Sequence, residues 1–273
     1  MIHSTSITSG FAKSFPLAKQ LAKTKLSPSL NILWGENGSG KTSILQIMAA
    51  YSFCHGGGWT RLLSPIELRG FGISGRTPNE LPHALARNSP GESRCEMDWD
   101  RAPVFFDNGN DTPGSIIDGD PTNSPDGILS GVDGIVLRMK KPSSGQMRKF
   151  KLNTILNRLQ DAPDFKSYKP RKDINDTWQK CLKEQADYLA QRPESTDTRV
   201  TILMDEPEKH LDLATANRFW NEVIPHLTKF AQVIIATHHP LALAATAEDT
   251  VWISPKKGEH LKAKEIYQNA FSK

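Results

Sequence analysis

The sequence predicts an α/β fold with a mainly parallel central sheet, an antiparallel edge subdomain and a loop-rich, partly helical lobe. Three observations carry this expectation. An apolar run, Leu30, Ile32, Leu33 and Trp34, leads into Gly35-Glu36-Asn37-Gly38-Ser39-Gly40-Lys41-Thr42 and then into a helical pattern, Ile44, Leu45, Ile47 and Met48. Val200 to Met204 and Val233 to Ala236 are two more continuous apolar runs, and helical stretches alternate with them. Buried strands alternating with helices after a strand–loop–helix unit imply neighbours that run parallel.

Taken in order, Met1 to Leu33 reads as edge strands followed by the strand that feeds the glycine-rich loop, and Thr42 to Tyr51 as the first helix. Cys54 to Lys141 is rich in Gly, Pro, Asn and Asp, as in Gly56-Gly57-Gly58, Asn108-Gly109-Asn110-Asp111 and Asp118-Gly119-Asp120-Pro121. Such composition reads as loops with short strands, here Val104 to Phe106 and Ile135 to Leu137. Lys149 to Leu159 has helical spacing at Phe150, Leu152, Ile155, Leu156 and Leu159. Asp173 to Gln191 reads as a capped helix with Ile174, Trp178, Leu182, Ala186 and Leu189 on one face; Trp178 and Tyr188 suit packing. Ala214 to Leu227 is the last expected helix. There are no heptads and no internal repeat. The chain is therefore read as a single domain, 1–273, with a loop-rich lobe over 54–141 and a helical element over 142–199.

At 273 residues the chain suffices for one large α/β domain or a domain with an insertion. Hydrophobic residues make up 37%, and mean hydropathy is −0.47, on the polar side. No apolar run approaches the roughly 20 residues of a membrane span, and Met1 to Ser9 lacks the build of a signal peptide. The expectation is a cytoplasmic protein with no membrane partner. The three cysteines, Cys54, Cys95 and Cys181, form neither a metal pattern nor a disulfide framework. A net charge of +4 is compatible with DNA without implying it. Its basic clusters (Lys19, Lys23 and Lys25; Arg148, Lys149 and Lys151; Lys166, Lys169, Arg171 and Lys172) read first as solvated surface.

The chemistry starts at the loop. Its glycines let backbone N–H groups wrap a phosphate, and the following helix adds the positive end of its dipole. Gly35, Glu36, Asn37, Gly38, Ser39, Gly40, Lys41, Thr42 and Ser43 are thus a candidate P-loop for a nucleoside triphosphate with Mg²⁺. Lys41 is expected to reach the β- and γ-phosphates, and the Thr42 hydroxyl to bind Mg²⁺. The strand Val200 to Met204 ends in Asp205-Glu206-Pro207. Two acids at the carboxyl end of a buried strand are costly unless they hold a metal or do chemistry. Asp205 is the candidate second metal residue, and Glu206 the candidate base for the attacking water. The next strand ends in Thr237-His238-His239. His238 is favoured over His239 to bond a γ-phosphate oxygen or that water. Asp212 either caps the helix starting near Leu213 or lies at a subunit boundary.

These motifs, in this order, resemble those of ABC-type ATPases. Ser143-Ser144-Gly145-Gln146, preceded by Pro142 and placed just before a helical stretch, is similar to that family's signature motif. The resemblance spans about Leu30 to Pro240. It implies a homodimer or higher oligomer that sandwiches two nucleotides. The loop of Ser143, Ser144, Gly145 and Gln146 would meet the γ-phosphate held by the partner head, with Ser143 and Gly145 as the trans contacts, and Asp212 would cross the dimer interface.

The chain departs from transporter subunits in three ways. It has no glutamine between Gln46 and Gln146, so the usual Q-loop residue is missing; Asp107 and Asn108 are the candidate replacements. The stretch from signature to Asp205 is long, with Asp161 to Arg199 an extra helical element. Pro142 and Ser144 replace the usual Leu and first Gly. The pattern is more similar to stand-alone heads of the SMC, RecF and OLD groups, without a long coiled coil. That resemblance implies an ATPase that switches a protein effector, such as a nuclease or toxin in antiviral defence or genome maintenance. The alternatives are an ATP-dependent DNA clamp and, third, a transporter subunit. The adenine contact is open among Phe11, Phe15 and Trp34, of which Trp34 better suits the core.

Overall fold

The computed structural model describes residues 1–54, 58–60, 93–107, 176–197, 199–244 and 249–271. Its centre is a six-stranded sheet. The strands are β2 (Leu30–Trp34), β3 (Gly58–Trp59), β5 (Val104–Asp107), β6 (Val200–Asp205), β7 (Ala231–Thr237) and β8 (Val251–Ile253), in the order β3-β5-β6-β7-β2-β8. Five run parallel, and β3 joins the edge antiparallel to β5. A separate antiparallel pair holds β1 (Ile2–Ser9) and β4 (Arg94–Trp99).

Period-two alternation divides the core between the two faces of this sheet. On one face Leu33, Val104, Phe106, Leu203, Ile234 and Ala236 meet α2 (Lys41–Tyr51), α1 (Pro16–Leu21), β1 and β4. On the other, Ile32, Trp34, Phe105, Ile202, Met204, Val233 and Ile235 meet Phe219, Trp220, Ile224 and Leu227. Both faces are covered, which is why the strands read as unbroken apolar runs.

Gln232, buried within β7, joins the two sheets. Its side chain accepts from Ile2 N at 2.8 Å and from Thr201 Oγ1 at 2.9 Å, and donates to Ile2 O at 2.7 Å and Ser27 O at 2.8 Å. These bonds satisfy both ends of a buried amide.

Several expected elements change shape. Between β1 and β2 the chain is not strand: a 3₁₀ turn, Phe11–Ser14, precedes α1, started by Pro16 and burying Leu17, Ala18 and Leu21. β4 lies inside the stretch read as loops. Its alternation buries Cys95, Met97 and Trp99 and exposes Arg94, Glu96 and Asp98. α3 (Asp176–Ala190) lies within the expected helix, and Arg192 stacks over Tyr188, 4.8 Å from its ring centroid, and over Trp99 at 5.7 Å.

The helix after Asp212 is not uniform. α4 (Leu213–Arg218) passes through a π-turn, Phe219–Val223, into α5 (Ile224–Leu227). Pro225 lacks an N–H and crowds the carbonyl four residues back, so the helix widens there to the Ile224 N–Phe219 O bond. Beyond the expected elements, β8 and α6 (Glu259–Phe271) close the sheet's far edge, where Trp252 stands edge-on to Trp34 and stacks on His260. The expected strand at Ile135–Leu137, the helix over 149–159 and the Ser143–Gln146 signature lie outside the described residues. No helix among the described residues is long and apolar enough to cross a membrane.

Candidate functional site

Parallel register brings the carboxyl ends of four adjacent strands level. Asp107 pairs with Met204, Asp205 with Ala236, and Trp34 with Thr237. The residues just beyond, Gly35 on β2, Glu206 on β6 and His238 on β7, therefore share one edge, where α/β sheets bind ligands.

The loop from Gly35 to Gly40 turns through two left-handed glycines, Gly38 (φ 81°) and Gly40 (φ 94°). A Cβ on Gly40 would lie 2.4 Å from the Phe15 ring, so this position needs glycine for both its dihedral and its space. At Gly35 a Cβ would fall 2.9 Å from Ser39 Oγ and 3.1 Å from Pro255. Gly40 caps α2 without a side-chain hydrogen bond, and the first N–H groups of a helix have no acceptor within it. Lys41 Nζ lies back across the loop, donating to Gly35 O at 2.8 Å and Glu36 O at 3.0 Å. Burial pushes the Lys41 ammonium below its ordinary value, opposed by the charges of Glu206, Asp205 and Glu208.

Thr42 Oγ1 donates to Asp205 Oδ1 at 3.0 Å. Burial raises the Asp205 carboxyl to about 6; the Thr42 bond and Lys41 oppose the rise, while Glu206 and Asp107 add to it. A cation at this carboxylate would reverse that preference. Thr42 hydroxyl and Asp205 carboxylate are the hard oxygen donors that suit Mg²⁺. No group of three or more His, Cys, Asp or Glu among the described residues is set to hold a metal ion. A cation here would complete its shell with phosphate oxygens and water, as Mg²⁺ commonly does.

Glu206 has φ 45°, rare for a residue with a side chain, yet its N–H keeps the ladder by donating to Ala236 O at 2.9 Å. Its carboxylate receives His238 Nδ1 at 2.9 Å, with Lys209 Nζ further off at 3.7 Å. His239 points elsewhere: its Nδ1 accepts from Leu241 N. His238 is therefore the histidine beside the acid.

One cleft gathers Asn37, Gly38, Gly40, Lys41, Thr42, Ser43 and Glu206, with Phe15 as its apolar wall. Phe11 stands edge-on to Phe15, its ring centroid 5.0 Å away, whereas Trp34 is core. Asp212 does not line this cleft. It caps α4, accepting from Thr215 N at 2.9 Å and Thr215 Oγ1 at 2.7 Å, the capping role left open by the sequence. Asp107 is buried at the end of β5, and its charge acts on Asp205; Asn108 is outside the described residues. Sequence reasoning passed over Glu208, a third acid in the same turn and also buried. No family model matches the chain, and no curated protein matches it.

Proposed function

We propose that this chain is a P-loop ATPase head of the ABC type, binding Mg²⁺·ATP in the cleft between the Gly35–Thr42 loop and Glu206. The observation that supports it most is the 3.0 Å bond from Thr42 to Asp205, since it joins two motifs that are remote in sequence and chemically complementary. The loop amides and the α2 N-terminus receive the phosphates, Lys41 exchanges its carbonyl partners for phosphate oxygens, and Phe15 offers a face to the base. Thr42 and Asp205 would hold Mg²⁺, which would supply positive charge to offset that of the phosphates. Glu206 accepts a proton from the attacking water, the water oxygen bonds to the γ-phosphorus, and the bond to the β–γ bridging oxygen breaks. His238 orients Glu206 and the water.

In this reading two heads close around nucleotide and their state switches a protein effector, such as a nuclease or toxin. A second reading is a DNA clamp, favoured by the exposed Lys13, Lys19, Lys23 and Lys25 in and around α1; its DNA affinity would need ATP and fall with salt.

The test is calorimetric titration of Mg²⁺·ATP with phosphate release on the same sample. Wild type binds and hydrolyses, and Lys41→Ala loses binding by about 100-fold, the size of one or two charge-assisted bonds. Undiminished binding by Lys41→Ala would reject the site.

A further inference from the structure

Glu208 stands two residues past Glu206 and is 4% exposed. A carboxylate buried that deeply needs a hydrogen-bond partner. One partner is Thr237, fully buried at the end of β7, whose hydroxyl donates to Glu208 Oε1. The same Thr237 oxygen accepts from His239 N at 2.9 Å, so it also fixes the backbone on the far side of His238. On the other turn, Lys209 N donates to Glu206 O and Leu211 N to Glu208 O, each at 3.0 Å, while Glu206 and His210 hold left-handed backbones at φ 45° and 65°. The turn carrying Glu206 and the turn carrying His238 thus meet through a buried side-chain bond beyond the last rung of the β6–β7 ladder.

We propose that Glu208 is a positioning residue: by accepting from Thr237 it ties the turn after β6 to the turn after β7 and holds His238 against Glu206. The role rests on the reading of Glu206 and His238 as the hydrolytic pair. Without the tie, the 2.9 Å contact spans two turns that have lost their Glu208–Thr237 link. A misplacement of about 1 Å at such a pair costs on the order of 100-fold in rate. Glu208 also lies near enough to Lys41 for its charge to act there, so its substitution has two separable consequences.

The experiment combines ¹⁵N-detected histidine spectra of His238 with Mg²⁺·ATP affinity and turnover. The variants are Thr237→Val, which keeps shape and removes both the donor to Glu208 and the acceptor of His239 N, Thr237→Ser, which restores both, Glu208→Gln and Glu206→Gln. Thermal melts establish that each is folded. Thr237→Val is expected to shift the His238 Nδ1 signal in the direction Glu206→Gln does, and to lower kcat about 100-fold. Nucleotide affinity stays within about threefold, and Thr237→Ser keeps the wild-type signal and rate. Thr237→Val folded with an unmoved His238 signal overturns the proposal. So does a loss of affinity in Glu208→Gln that accounts for its whole loss of turnover, because Glu208 would then serve the loop through Lys41. Absence of ATP turnover in wild type rejects the function proposed above, and the His238 signal alone then decides the role of Glu208.

Discussion

Thr42 on α2 and Asp205 on β6 share a hydrogen bond of 3.0 Å across 163 positions of chain. The bond does not make Asp205 comfortable as an anion. Burial dominates, and the carboxyl is raised to about 6 from an ordinary 3.8. A site that holds an acid unfavourably while empty is one that gains when a cation enters.

Asp205→Asn tests this through stability, with EDTA present and no nucleotide. A raised folded-state value means the native protein binds the proton more tightly than the unfolded chain. The resulting stabilisation is full below about pH 4 and is lost as pH rises through about 6. Wild type therefore forfeits on the order of 3 kcal/mol at this site by pH 7.5, while asparagine forfeits nothing. The melting temperature of the variant should exceed that of wild type by several degrees at about pH 7.5, and the gap should shrink toward about pH 4. A gap that does not change with pH removes the argument. Mg²⁺·ATP should raise the melting temperature of wild type only.

Gly40 carries two constraints that a double-mutant cycle separates. Alanine there meets the φ of 94° and a Phe15 ring atom at 2.4 Å. Gly40→Ala should cost about 2–4 kcal/mol in urea unfolding, part from the left-handed backbone and part from overlap. Phe15→Ala removes the ring and its overlap but not the backbone penalty. The double variant should be less destabilised than the sum of the singles by about 1–2 kcal/mol. Strict additivity would mean that the ring moves aside freely.

The site was more legible than the scaffold around it. Lys41, Thr42, Asp205, Glu206 and His238 each stand directly after or within a motif flanked by an apolar strand, so their edge of the sheet follows from parallel order. β4 was hidden differently: Cys95, Met97 and Trp99 alternate with charged residues, but glycine and proline on both sides made the stretch read as loop. The Pro225 π-turn leaves an apolar pattern close to that of an α-helix, so periodicity alone does not separate them. The choice of Phe15 among the three aromatics left open, and Glu208 altogether, needed the fold itself. Nothing local says that an aromatic near the N-terminus walls the loop, or that the third of three neighbouring acids turns inward onto Thr237.

Gln232 separates stability from chemistry. Gln232→Leu should strip partners from Ile2, Ser27 and Thr201, all of which meet its side chain at 2.7–2.9 Å. Buried groups left unpaired make this expensive, about 3–5 kcal/mol in denaturant unfolding. Gln232 lies toward the amino end of β7, away from the strand ends that carry Glu206 and His238. Affinity for Mg²⁺·ATP at a temperature where the variant is folded should match wild type. A tenfold weaker affinity would show that the packing of β1 onto the sheet also shapes the proposed nucleotide edge.

Glu206→Gln separates binding from turnover. Glutamine keeps an oxygen for His238, and the left-handed φ of 45° makes a similar demand on either side chain. What it loses is the ability to take a proton from water. Turnover should fall by about 10²–10⁴-fold while Mg²⁺·ATP affinity stays within a few-fold. If heads close on nucleotide, slowing hydrolysis also lengthens the closed state, and light scattering should show an ATP-dependent doubling of mass that wild type shows only transiently. Turnover equal to wild type would remove Glu206 as the base. Slow turnover with an unchanged mass would leave the base in place and reject the nucleotide sandwich, because closure is the step that a trapped ATP must reveal.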